Sequence, residues 1–153
     1  HPNFSSIPLH DQLRVANFRR LPDWLLSNFQ HKRQMMNLDL NIEPMRRGLF
    51  WRERDHSWFP ADWWLDRLQI DENCLLLRVD YLKSDFLKCL NQYDPIGPIS
   101  RLRVRLVKDQ NRNTYQRSLR EWYTCDDLSC LYSENPQWAA LEQLVYGSLL
   151  LDL

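Results

Sequence analysis

At 153 residues the chain is the size of one domain, long enough to bury about 68–70% of the surface its unfolded form would expose. Twenty basic and twenty acidic residues cancel, so no global charge draws nucleic acid or an anionic membrane. Only three glycines argue against Gly-rich phosphate loops, and no apolar run reaches the roughly 18–20 residues needed to span a bilayer. The expectation is one soluble α+β domain over residues 1–153, an antiparallel β-sheet with helices packed on one face. No membrane contact is expected, and the cytoplasm is the default compartment. The chain begins at His1 rather than Met, which fits processing, a tag scar or excision from a longer protein and leaves a removed targeting segment open.

In chain order, Leu9, Leu13 and Phe18 with polar residues between them predict a short first helix. Pro22 followed by Trp24, Leu25, Phe29 and Met36 predicts a second, with proline in its first turn. Gly48 to Glu53 reads as a strand, and Pro60 then opens either a helical turn or a strand through Trp63, Trp64, Leu65 and Leu68. The Leu-rich run from Cys74 to Tyr81 has the length of a strand packed on both faces. Ser84 is placed to cap a helix over Asp85 to Gln92, which must stop near Asp94 because Pro95 follows.

Strict alternation over Arg101, Leu102, Arg103, Val104, Arg105 and Leu106 predicts a half-buried strand with arginines on its outer face. Asp109 to Asn113 supplies turn residues, and Thr114 to Trp122 alternates again, so the two runs predict a hairpin. Asn135 and Pro136 then give a cap and a first-turn proline, followed by Trp138, Leu141, Leu144 and Val145 at helical spacing. Gly147 closes that helix, and Ser148 to Leu153 is read as a final buried strand.

The hairpin region from Arg101 to Arg120 carries a net +6, against −6 for the remainder to Leu153, which holds no Lys or Arg. Arg101, Arg103, Arg105, Arg117 and Arg120 form the candidate basic patch. Guanidinium groups on one strand face present bidentate donors to carboxylate or phosphate. The same pattern describes a solvated face balanced by an acidic tail, an anionic small-molecule site, or a nucleic-acid face to which Trp51, Trp63, Trp64 and Tyr115 add stacking if they are not core.

Cys74, Cys89, Cys125 and Cys130 lack Cys-x-x-Cys spacing and a nearby histidine pair, so they read as free thiols and neither metal nor cofactor is expected. Cys89 reads as packing. Asp126 and Asp127 read as a capping loop rather than a cation site. His10 beside Asp11 and Asp55 beside His56 do not face each other in regular structure, and no nucleophile motif accompanies them.

A collinear set of short matches runs through the chain: Asp23-Trp24-Leu25-Leu26 with Lys32-Arg33, Met45-Arg46-Arg47-Gly48-Leu49-Phe50, Trp64-Leu65 beside Arg67, Pro95-Ile96-Gly97, and Leu149-Leu150-Leu151-Asp152. In that order they resemble the chorismate pyruvate-lyase family. The resemblance implies an antiparallel sheet enclosing a small carboxylate-bearing ligand, and cleavage of chorismate to 4-hydroxybenzoate and pyruvate. It assigns substrate binding to Arg67, Ile96 and Asp152, with Arg67 and Asp152 as the catalytic pair. Arg67 and Asp152 each stand one place off the family pattern. The alternative is a non-enzymatic interaction module whose basic hairpin, residues 101–120, contacts nucleic acid or an acidic protein partner. Self-association through an edge strand of that hairpin is a third arrangement.

Overall fold

The computed structural model describes residues 14–68, 70, 74–93, 97–107 and 118–153. Among the described residues, helices and short, locally paired strands give a mixed α and β architecture, divided by packing into two compact units: His1–Phe18 with Asp71–Thr114, and Arg19–Ile70 with Tyr115–Leu153. Among the described residues no helix is long and apolar enough to cross a membrane.

The first unit is built around β4 (Cys74–Arg78), whose Leu75, Leu76 and Leu77 are all buried, as a strand covered on both faces must be. It pairs in parallel with β1 (Arg14–Phe18), from Arg14 opposite Cys74 to Phe18 opposite Arg78. The helix expected to run up to Phe18 is therefore corrected to a strand over its last five residues. Its apolar spacing was compatible with either period, and pairing with β4 decided the matter. A 3-10 turn, Val79–Tyr81, leads into α4 (Leu82–Tyr93), which starts ahead of the expected Ser84 cap; the Ser84 hydroxyl instead donates to Tyr81 O at 3.1 Å. Cys89 of α4 packs with Leu75 and Leu77. The last described element is α5 (Pro98–Leu106).

The alternating run Arg101 to Leu106 is thus helical, and the expected strand there is corrected. Gly97 is extended at the N-cap and Pro98 occupies the first turn, where its fixed φ and missing N–H are harmless and favour helix entry. Alternation over six residues does not exclude the 3.6 period, because Ile99, Leu102 and Leu106 also fall on one helical stripe. The expected turn at 109–113 and the segment 114–117 lie outside the described residues. Leu119–Glu121, in the second unit, is a 3-10 turn rather than strand.

The second unit begins at α1 (Leu21–Met35), with Pro22 in its first turn and Leu21, Leu25, Leu26 and Phe29 buried along one stripe. The short α2 (Glu43–Arg46) buries Met45. Then β2 (Leu49–Arg52) pairs antiparallel with β3 (Ser57–Pro60), placing Trp51 opposite Trp58 and Phe50 opposite Phe59. Pro60 is followed by α3 (Asp62–Leu68), which settles the open choice in favour of helix. Finally α6 (Cys125–Glu134) and α7 (Pro136–Tyr146) complete the core with Leu128, Leu131, Tyr132, Trp138 and Val145. Each such Leu contributes about 2 kcal/mol through burial.

Gly147 ends α7 in the left-handed conformation, φ 81°, as its position foretold. The tail after it forms no strand: residues 148–153 lie in irregular structure, held by side chains rather than by a sheet. In place of a single antiparallel sheet with helices on one face, the described residues form two two-stranded sheets, one parallel and one antiparallel.

Candidate functional site

The basic patch centres on α5. Nine residues of helix put Ile99, Leu102 and Leu106 at i, i+3 and i+7, and these side chains are 70%, 55% and 68% exposed. Val104, on the opposite side, is half-buried, and Arg101 there donates to Asn91 Oδ1 at 2.9 Å, fastening α5 to α4. By helical geometry Arg103 flanks the apolar stripe on one side and Arg105 on the other. Both are exposed. An aliphatic stripe facing water between two guanidinium groups is costly as a solvated face and suited to an apolar surface with an acidic rim.

Arg120 sits in the 3-10 turn of the other unit and donates to Leu153 O at 2.5 Å. Arg117 lies outside the described residues, as does Tyr115. No hairpin face is formed by residues 101–106, and the edge strand proposed for self-association is absent there.

Of the residues that the family resemblance assigned, Arg67 is in the last turn of α3. It is exposed, with its guanidinium 3.3 Å from the centroid of the Trp63 ring one helical turn earlier. Arg52 approaches the same indole at 4.3 Å and pairs with Asp55 at 2.5 Å. Trp64 is 41% exposed beside them. Asp152 is exposed in the irregular tail, and Ile96 lies outside the described residues. Two of the three residues are therefore on the surface of the second unit.

The other candidates resolve into packing and capping. All four cysteines are free, and burial pushes the Cys89 thiol up from its ordinary value, as a packed thiol requires. Asp127 and Thr124 form a reciprocal capping box at 2.8 and 3.1 Å, which accounts for the acidic start of α6. Among the described residues no group of three His, Cys, Asp or Glu is arranged to hold a metal. His56 adopts φ 47° in the turn between β2 and β3, and His10 and Asp11 lie outside the described residues.

The sequence reading missed the buried polar groups of the second unit. Glu142 is fully buried in α7. It accepts Leu21 N at 2.8 Å, Arg20 Nη1 at 3.0 Å and the Tyr132 hydroxyl at 2.7 Å. Desolvation is the largest influence on it and raises its pKa above the ordinary 4.5. Burial and the neighbouring Glu142 push Tyr132 well above the usual phenol range. Through these groups the tail is fastened, Arg20 reaching Ser148 O at 2.9 Å and Tyr132 OH accepting Leu150 N at 3.2 Å.

Asn135 is fully buried but does not cap α7. Its amide donates to Gly48 O and Leu131 O at 2.9 and 2.8 Å and accepts Asp62 N at 3.0 Å. The cap comes from Asp62, whose carboxylate accepts Gln137 N and Trp138 N, each at 2.8 Å. The spacing of Trp138, Glu142 and Val145 placed Glu142 on the apolar face of α7 and was the available signal for it. For Asp62 the sequence carries no comparable mark.

These groups are positioned for stability, with no nucleophile, base and orienting group brought together among them. No protein-family model, curated protein or solved structure matches the chain.

Proposed function

We propose that this chain is a non-enzymatic interaction module that presents the basic, amphipathic α5 to an acidic protein partner. The observation carrying this reading is the exposure of Ile99, Leu102 and Leu106 on one stripe between Arg103 and Arg105. Aliphatic side chains at the centre of the patch favour a protein groove over nucleic acid, whose recognition draws on aromatic stacking and phosphate contacts. The flanking arginines supply orientation and association rate, and the apolar stripe supplies affinity.

A designed acidic amphipathic peptide, with a Leu stripe and Glu flanks, serves as the probe in fluorescence anisotropy. The wild-type chain is expected to bind it, with at least tenfold weakening in L102D and a loss of affinity in high salt. Binding to an oligonucleotide or to anionic vesicles in place of the peptide overturns this assignment.

A second reading, a domain of the chorismate lyase-like type binding a small carboxylate-bearing ligand, draws support from Arg67. Its guanidinium lies 3.3 Å from the centroid of the Trp63 ring, a contact that orders it, and the side chain is exposed, as bidentate contact with a carboxylate requires. On this reading 4-hydroxybenzoate or chorismate raises the melting temperature, and R67A removes the shift. An unchanged melting temperature at millimolar ligand rules it out.

A further inference from the structure

The segment that follows the basic region has the complementary chemistry. Residues 121–153 contain six acids and no Lys or Arg. Two of those acids are committed within the fold, Glu142 to Arg20 and Tyr132, and Asp127 to its capping box. Glu121, Asp126, Glu134 and Asp152 remain exposed.

On α6 the inward face is Leu128, Leu131 and Tyr132, which leaves Asp126, Cys130 and Ser133 on the outward stripe with Glu134 beside its far end. The same segment exposes apolar side chains, Leu144 at 70% and Leu151 at 46%. One chain thus carries an apolar stripe edged by arginine and, in its other unit, exposed carboxylates on α6 together with exposed leucines on α7 and in the tail.

We propose that the acidic partner of α5 is a second copy of this chain, whose acidic α6 receives it. This rests on the reading of α5 as a docking helix. In a two-fold dimer the contact is made twice, so two individually modest surfaces act together, and closure prevents growth into a filament. Charge complementarity sets the orientation, because α5 against a second α5 places arginine opposite arginine.

The test is sedimentation velocity of the whole chain across a concentration series at low and high salt. The wild-type mass is expected to double with rising concentration at low salt and to return to that of the monomer at high salt. R103E/R105E and D126R/E134R are each expected to stay monomeric at concentrations where the wild type is dimeric. Their equimolar mixture, in which both contacts are again between opposite charges, is expected to restore the dimer.

Far-UV circular dichroism and Trp fluorescence matching the wild type verify that the variants fold. A chain that is monomeric at every concentration overturns the inference, as does a mixture that fails to associate. If that monomer still binds the acidic peptide through α5, the docking reading stands and only the identity of the partner is lost. If it binds neither, both are lost.

Discussion

Asp85 in the first unit and Glu142 in the second are both buried carboxylates, and their surroundings treat them in opposite ways. In the first, Asp85 is 2% exposed and receives a fork from Arg78, Nε and Nη2 both at 2.8 Å, so the carboxyl is held below its ordinary 3.8. In the second, Glu142 has three donors, yet burial outweighs them and its carboxyl is raised. A bidentate ion pair at the edge of a small core is enough to keep a charge favourable. At the centre of a large core, a single partially exposed arginine and two neutral donors are not. The contrast extends to packing. The second unit ties helix ends, turn and tail together through Asn135, Asp62, Glu142 and Tyr132, whereas the first leaves Val15, Tyr81, Ile99, Leu102, Leu106 and Val107 about half exposed or more. Both units keep apolar side chains in water, Met35, Leu144 and Leu151 among those of the second, but in the first Ile99, Leu102 and Leu106 share one helical stripe, and that stripe is where docking is expected.

The contrast is broken most severely at Gly48. Its φ of 90° already disfavours any other residue, and an added Cβ would stand 2.4 Å from Asn135 Nδ2 and 2.9 Å from Leu131 O. Gly48→Ala is therefore expected to destabilise the second unit by about 3–4 kcal/mol. All seven Trp of the chain lie in that unit, so denaturation followed by Trp fluorescence reads it alone. An effect below about 1 kcal/mol would show that the turn is not held as described.

Next in size is Asp62→Ala, which strips the N-terminal cap from α7 and leaves two N–H donors without their carboxylate. A loss of about 2 kcal/mol is expected in the same measurement. Asp62→Asn, which retains one acceptor, should recover part of it.

The two carboxylates predict opposite pH responses. With a folded pKa above its unfolded value, Glu142 takes up a proton more readily in the folded state. Its contribution is greatest below about pH 4.5 and diminishes as pH rises through the raised value. Glu142→Gln should flatten that decline in Trp-monitored stability. Asp85, with a depressed value, contributes stability above pH 3.8 that is lost as pH falls through its folded pKa. Hydrogen exchange of the β4 amides should reveal that acid loss, and Asp85→Asn should abolish it. If the Glu142 and Asp85 variants shift stability in the same direction with pH, the contrast fails.

The smallest effect on stability is expected where the largest effect on binding lies. Leu102→Ser on the exposed stripe of α5 should change stability by no more than about 0.5 kcal/mol while weakening the acidic peptide at least tenfold. A large destabilisation instead would mean that the stripe is part of the core.

Much of the element order was legible because local punctuation and local structure agreed. Pro22 opening α1 and Pro136 with Gly147 bounding α7 are found as expected, and the Leu run forms β4 as far as Arg78, with Val79–Tyr81 of the expected strand in a 3-10 turn instead. The alternating arginines were misleading because six residues are too few to separate a period of two from one of 3.6, and Pro98 decided for helix. Phe18 and the residues before it carried apolar spacing suited to either element until β4 lay beside them. Of the site, the arginines were visible and their arrangement was not. The stripe of Ile99, Leu102 and Leu106 exists only once the segment is helical, and Asn135, expected as a cap, serves the turn at Gly48 instead.

By itself the sequence determined the charge segregation between residues 101–120 and 121–153, the cysteines' lack of ligand spacing, and the proline-opened starts of α1 and α7, because these depend on neighbours along the chain. Tertiary structure alone decided which acids are buried, which carboxylate caps α7 and which apolar stripe stays in water. Those outcomes turn on contacts between residues such as Asp62 and Trp138, or Arg20 and Glu142, far apart in the chain and brought together by packing.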